Sequence, residues 1–148
     1  MEHTEDSAAT AVHEQWIALV NKAIADFESL TPHERIWFTV QALLQEADNG
    51  GLISHYYNHG GERTQETIED LITLGFPEVA DLLYEINDLF PCGDPPRNIE
   101  ERLKIMATWE GEEYDYLDDF LEELDEQFYS RKNEIEEELQ NLISGKLV

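Results

Sequence analysis

Residues 31–51, TPHERIWFTVQALLQEADNGG, contain a complete helix with a start, an apolar face and a stop. Thr31 can cap the helix, Pro32 suits its first position, and Glu34 completes a capping box. Gly50-Gly51 predicts the end, because glycine adopts backbone conformations that other residues resist. Between start and stop, apolar residues recur at the helical period and predict a buried face. That face consists of Ile36, Trp37, Val40, Leu43, Leu44 and Ala47.

Helical periodicity continues on both sides of this segment. On the N-terminal side a helix is predicted from Glu14 to Phe27, and we expect its apolar residues to form one face. These residues are Trp16, Ile17, Val20, Ala23, Ile24 and Phe27. On the C-terminal side, the patterns predict helices over 64–74, 77–89 and 99–108.

The chain beyond Gly111 has an almost purely helical pattern. Ser130–Asn133 is a candidate interruption of this long segment, and Gly145 is its expected end. Its apolar positions are Tyr114, Leu117, Leu121, Leu124, Phe128, Ile135, Leu139 and Leu142. The sequence has no alternating strand pattern and no internal repeat. The predicted fold class is therefore all-α, a compact multi-helix bundle with a long acidic C-terminal helix.

Length and composition favour one folded domain with an unusual surface. The chain has 148 residues, 41% of them hydrophobic, and a formal net charge of -25. We expect a flexible N-terminal tail over residues 1–12 and a single helical domain over 13–148. The regular apolar spacing and the 10% aromatic content argue against a disordered acidic chain. Such a charge repels nucleic acid and anionic membranes and attracts basic partners.

The sequence also indicates where the protein works. Cys92 is the single cysteine, so no internal disulfide can form, and a lone cysteine fits a reducing compartment. The first residues lack the apolar core of a signal peptide, and nowhere do 18 apolar residues follow one another. We expect a soluble cytoplasmic protein without a membrane segment. Monomer and homodimer both stay open.

Acidic residues dominate the C-terminal segment. Fourteen of them lie between Glu110 and Glu138, opposed only by Arg131 and Lys132. The six that we predict as a partner-binding face are Asp115, Asp118, Asp119, Glu122, Glu123 and Glu126. Two interpretations compete, a solvated helix surface and a binding surface. Like charges four residues apart destabilise a helix, and an ordinary solvated helix mixes signs, so we favour binding of a basic partner.

No catalytic constellation emerges from the sequence, and we expect neither an enzyme nor a cofactor. His55 and His59 have the four-residue spacing of metal ligands on a helix, but Tyr56 stands where a zinc protease has glutamate. Gly60-Gly61 lacks the spacing and the lysine of a phosphate loop. Metal binding through the two histidines is therefore the least favoured hypothesis, and no metal site is predicted.

Several segments together resemble a bacterial family of small acidic helical proteins that includes DNA-mimic proteins of the DMP type. The resemblance extends over roughly 16–143, and its most specific element is Asn49-Gly50-Gly51. The segments that carry it are Leu30–Phe38, Glu46–Leu52, Tyr56–Asn58, Gly60-Gly61, Leu71–Phe76, Ala80, Leu117–Phe120 and Leu124–Tyr129. His55 and His59 are not part of the family pattern that we recognise.

The resemblance implies an all-helical fold and, for one branch, a surface whose carboxylates stand in for DNA phosphates. The net charge of -25 favours that branch. We therefore expect a protein that binds a basic, DNA-binding partner such as a transcription factor and competes with DNA, without binding nucleic acid itself. The alternative is a helical adaptor that engages its partner through an apolar groove.

Overall fold

The computed structural model describes residues 2–145 of the chain, with side chains described from residue 11. Its α-helices are α1 (Glu2–Asp26), α2 (Pro32–Gly50), α3 (Ile53–Tyr57), α4 (Thr64–Leu74), α5 (Pro77–Asn87), α6 (Ile99–Met106) and α7 (Leu117–Ile143). Short 3-10 turns lie at Phe27–Ser29, His59–Arg63, Pro91–Gly93 and Glu112–Tyr114. The described residues contain no strand, which confirms the predicted all-α class.

Helix α2 lies at the centre and contacts α1, α3, α4 and α7. Its predicted capping box is present: the Glu34 amide donates to Thr31 Oγ1 at 3.2 Å, and the Thr31 amide donates to Glu34 Oε1 at 2.9 Å. The predicted face is buried except for Trp37, which is partly buried. Gly51 follows the helix with φ +82°, a conformation that favours glycine. Sequence and structure agree closely for this helix.

The main core lies where α2, α4, α5 and α7 pack against one another. Its fully buried side chains include Val40, Leu43, Leu52, Tyr56, Ile68, Leu71, Leu83, Ile86, Phe128 and Ile135. Full burial of an aliphatic or aromatic side chain of this size contributes about 1.5–3 kcal/mol. The buried Tyr56 hydroxyl has a hydrogen-bond partner, because it donates to Asn87 Oδ1 at 2.7 Å. Burial raises the pKa of this hydroxyl.

Helix α1 differs from the expectation. Two of the residues predicted for its apolar face point outward, since Ile17 is 47% and Ile24 78% exposed, whereas Leu19 is buried. The helix packs mainly against α2 and the following turn, so only one narrow face is covered. It also begins at Glu2 and so includes much of the predicted tail, a segment whose alanine and glutamate residues favour helix. The division of the chain at residue 12 stays a prediction.

Helix α7 is continuous, so the interruption considered at Ser130–Asn133 is absent. Arg131 bonds to Glu78 on α5 and to Glu134, and Lys132 bonds to Asp48 on α2. The polar residues Arg131 and Lys132 therefore pair with acids on neighbouring helices while α7 stays helical. Within the described part of the chain, no helix combines the length and apolar composition that crossing a bilayer requires.

Candidate protein-binding surface

Three contacts fix one side of α7 against the end of α2. Asp125 Oδ1 accepts a hydrogen bond from the Leu52 amide at 2.9 Å, and the Tyr129 hydroxyl donates to Ala47 O at 2.6 Å. Lys132 Nζ donates to Asp48 Oδ1 at 2.7 Å, which raises the pKa of Lys132. Partial burial raises the pKa of Tyr129. These contacts set the rotation of α7 about its own axis.

Asp125 is therefore not part of the exposed acidic face, although it lies within the acidic stretch between Glu110 and Glu138. Its carboxylate occupies the position that a β-carbon on Gly51 would take. The second glycine of the Asn-Gly-Gly segment thus has a structural role, because at position 51 only glycine leaves room for this carboxylate and readily adopts the required positive φ.

We define the α7 acidic surface as Asp115, Asp118, Asp119, Glu122, Glu123 and Glu126. All six side chains are exposed, as a binding role would require. Asp118 and Asp119 lie in the first turn of α7, where the helix dipole favours negative charge. Asp115 lies just before the helix, after the turn Glu112–Tyr114, so its predicted place on the helix is wrong.

The α7 acidic surface is not neutralised by the residues that the structure describes. None of its carboxylates lies within 4.0 Å of a described lysine, arginine or histidine nitrogen. Most of the described lysine and arginine side chains pair with other acids. These pairs include Lys22–Glu34, Arg35–Asp70, Arg97–Glu66, Arg131–Glu78 and Lys132–Asp48.

In two of these ion pairs, hydrogen bonds to a carboxylate stabilise the charged form of the arginine. Hydrogen bonds to Asp70 raise the pKa of Arg35, and hydrogen bonds to Glu66 raise that of Arg97. Burial alone would raise the pKa of Glu66. The hydrogen bonds from Arg97 and its positive charge have the larger effect, so that the pKa of Glu66 lies below its usual value. These cations cross-link other parts of the fold and do not pair with the carboxylates of the α7 acidic surface.

The linear charge density on α7 can be compared with that of DNA. From Asp118 to Glu126 the helix rises about 12 Å at about 1.5 Å per residue. The same length of duplex carries about seven phosphate charges, at roughly one per 1.7 Å. Five carboxylates of the α7 acidic surface occupy this length. A partner would therefore meet a linear charge density of the same order as that of a duplex.

The two histidines of the metal hypothesis do not converge. His55 is 1% exposed, and its ring contacts Glu46 Oε1 at 2.9 Å and Thr64 Oγ1 at 3.0 Å, which occupies both nitrogens. His59 lies in the exposed turn after α3, 3.6 Å from Glu62. The residues described in the structure include no group of three potential ligands placed to hold a metal ion.

The Glu46–His55–Thr64 cluster and buried Arg102 were missed by sequence reasoning. Arg102 donates to four backbone carbonyls, and burial lowers its pKa. In the cluster, the Thr64 hydroxyl donates to Gly61 O at 2.9 Å, so it is not poised as a nucleophile. No local pattern reveals either feature, because their partners lie on other elements and acidic residues are common throughout this chain.

An apolar groove runs between α1 and α2. Its volume is about 690 Å³, and its apolar wall includes Trp16, Val20, Ile24, Phe27, Phe38 and Ala42. Glu46, Glu62 and Arg63 lie at its polar end, beside the turn His59–Arg63. This groove is the structural counterpart of the adaptor hypothesis, because exposed apolar surface of this kind marks interaction sites.

Comparison with known proteins connects this geometry to one family. A family model described as DMP19-like protein matches residues 28–145. The matched range includes all of α2 to α7, and hence the α7 acidic surface and its attachment to α2, but leaves out the whole of α1. No curated protein and no solved structure matches the chain.

Proposed function

Since this chain belongs to the DMP19-like protein family, we propose that it acts as a DNA mimic, which binds a basic DNA-binding protein such as a transcription factor and competes with DNA for it. The observation that carries the proposal is the α7 acidic surface, whose six carboxylates are exposed and lie beyond salt-bridge distance of every described basic side chain. The action is binding, not catalysis. The expected setting is the bacterial cytoplasm, where such partners work.

The mechanism is competition for the partner's basic side chains. Arginine and lysine groups that hold phosphates form charge-assisted hydrogen bonds to carboxylates in the same way. The field of an acidic surface also steers a basic partner toward it, which makes association fast at low ionic strength and weaker as salt rises. Asp125 and Tyr129 hold α7 in place before binding, which reduces the ordering cost on association.

The groove between α1 and α2 supports a second candidate function, that of a helical adaptor. Ile24 is 78% exposed at the groove, and Ile17 is exposed on the same helix. Burying these side chains against a partner would be favourable at about 25 cal/mol per Å² of apolar surface. An adaptor of this type would hold its partner with little dependence on salt.

Charge reversal on α7 separates the two functions. We expect the variant Asp119→Lys, Glu122→Lys, Glu123→Lys and Glu126→Lys to lose capture of the partner from source-cell lysate by at least tenfold. A control with the same charge change uses exposed acids away from this surface: Asp81→Lys, Glu85→Lys, Glu100→Lys and Glu137→Lys. The control should keep most of the binding.

The captured protein must also behave as the mechanism requires. We expect a basic DNA-binding protein that is released by salt and displaced by its own duplex DNA, with identification by mass spectrometry. Capture that survives charge reversal and high salt but is lost in an Ile17→Asp, Ile24→Asp variant would contradict the mimic and support the adaptor.

A further inference from the structure

The groove between α1 and α2 has one wall in a part of the chain that the family model does not match. This wall lies within residues 16–27 of α1, whereas the match begins at residue 28. Its apolar side chains follow one face of the helix over about 16 Å, at about 1.5 Å per residue. Ile24 on this wall is 78% exposed. The groove is therefore separate from the α7 acidic surface, and its exposed apolar surface indicates an occupant of its own.

The shape of the groove fits a third helix. Small residues line both of its helical walls, Ala23 on α1 and Ala42 on α2, and leave open the space that longer side chains would fill. Phe38 lies 6.1 Å from Trp16 and 6.1 Å from Phe27, centroid to centroid, so that these three rings form a continuous aromatic floor. A helix that binds in such a groove presents apolar anchors at i, i+3 or i+4, and i+7. A floor about three turns long matches that spacing.

Charges at the polar end of the groove select the flanks of such a helix. Glu46 and Glu62 line this end, and Glu28 lies beside it, 4.0 Å from Arg63. The Glu28 and Glu62 side chains are 86% and 44% exposed. Arg63, which stacks on the Phe27 ring at 3.9 Å, is the arginine that opposes them among the described residues of this end. Three acids beside one arginine favour lysine or arginine on the occupant.

We propose that the groove binds an amphipathic helix of a partner protein, about three turns long, with an apolar face toward the aromatic floor and lysine or arginine along its flanks. The proposal rests on the adaptor function of the groove and is independent of the mimic. A second copy of this chain is a poor occupant, because it would bring another net charge of -25 to the contact. The same field attracts a basic helix before the apolar contacts form.

A synthetic helix with this chemistry provides the probe. The fluorescent peptide has about 12 residues, with leucine at the helical spacing and lysine elsewhere. One comparison peptide has the same composition in an order without that spacing, and a second has glutamate in place of every lysine. Fluorescence anisotropy with the full chain, at an ionic strength of about 0.15 M, measures the affinities. We expect the helical lysine peptide to bind at least tenfold more tightly than either comparison peptide.

A matched pair of variants locates the contact. We expect Ile24→Asp to weaken binding of the helical lysine peptide at least tenfold. The added carboxylate by itself would attract a basic peptide more strongly, so this loss isolates the apolar contact. The control is Ile72→Asp, because Ile72 is 48% exposed on α4 and lies outside the groove. The control should bind within about threefold of the unmodified protein. Equal binding by the two variants would overturn the proposal.

Amide spectra of the ¹⁵N-labelled full chain identify the surface directly. With the helical lysine peptide bound, we expect the largest shifts in residues 16–27 and 38–46. Largest shifts anywhere else, residues 118–126 included, would refute the groove as the site.

Two further outcomes would replace the occupant and keep the groove. A comparison peptide that binds as tightly as the helical lysine peptide, and is lost in Ile24→Asp, would contradict a basic helix but leave the adaptor function standing. Sedimentation of the unmodified protein alone tests for self-association, and a dimer that Ile24→Asp abolishes would make a second copy the occupant. None of these outcomes depends on the partner of the α7 acidic surface, so the test is separate from that of the mimic.

Discussion

A single buried side chain, Arg102, holds two irregular segments against each other. Its guanidinium donates to Tyr56 O and Asn58 O at the end of α3, and to Pro96 O and Arg97 O before α6. No carboxylate among the described residues pairs with it within 4.0 Å. Its charge is therefore stabilised by carbonyl dipoles, and removing it leaves one buried and three partly buried carbonyls without this donor.

We expect Arg102→Met to lower the free energy of unfolding by about 1–3 kcal/mol, the range for leaving buried hydrogen-bonding groups without their partner. Arg102→Lys should recover only part, because an ammonium donates from one point and cannot span four carbonyls. Lys104→Met is the control, since Lys104 is exposed on the same helix. The measurement is denaturant unfolding, and an Arg102→Met variant within 0.5 kcal/mol of the unmodified protein would refute this role.

Features that depend on neighbouring residues could be predicted from the sequence, and features that depend on distant ones could not. The capping box at Thr31 acts within three residues of chain, so the local pattern is sufficient to predict it. Arg102 meets a carbonyl 46 residues away, and Asp125 meets an amide 73 residues away. Nothing in the local sequence distinguishes Asp125 from the surface acids beside it.

At the level of the helices, the attachment of α7 to α2 decides which acids face the solvent. Asp125 and Glu126 are adjacent and carry the same charge, but Asp125 accepts from the Leu52 amide and Glu126 is exposed. We expect Asp125→Ala to cost about 1–3 kcal/mol, because it leaves that amide without its acceptor. Glu126→Ala should stay within about 0.5 kcal/mol of the unmodified protein.

The conservative variant Asp125→Asn tests whether the hydrogen bond to Leu52 is the cause of the loss in stability. Its side-chain oxygen can still accept from Leu52, so thermal or denaturant unfolding should show a loss smaller than in Asp125→Ala. Equal losses in the alanine variants at positions 125 and 126 would mean that the contact does not hold α7.

Periodicity identifies the apolar face of a helix, but it does not predict how much of that face other helices bury. Helix α2 has partners on several sides, and its predicted face is buried. Helix α1 packs mainly against α2, and Ile17 and Ile24 stay exposed despite the same periodicity. On α7, the five predicted acids from Asp118 to Glu126 are exposed, whereas the boundary at Asp115 and the inward turn of Asp125 required the structure.

Across the whole molecule, one charge imbalance should have opposite effects on folding and on binding. With a net charge of -25, the folded state suffers self-repulsion, which salt screens. We expect 0.3 M NaCl to raise the free energy of unfolding by at least about 1 kcal/mol over 0.01 M, or roughly 3 °C in Tm. The α7 four-lysine variant has a smaller net charge and should gain less. Thermal unfolding at several NaCl concentrations provides the measurement.

Salt should at the same time weaken the proposed complex, because the same screening acts on the attraction between the α7 acidic surface and a basic partner. Loss of binding in salt then cannot come from loss of the fold, since salt makes the fold more stable. A Tm that falls as NaCl rises would mean that ion pairs such as Arg35–Asp70 outweigh the self-repulsion. Release of the partner by salt would then have two possible causes: screening of the charges at the interface, and destabilisation of this protein's own fold.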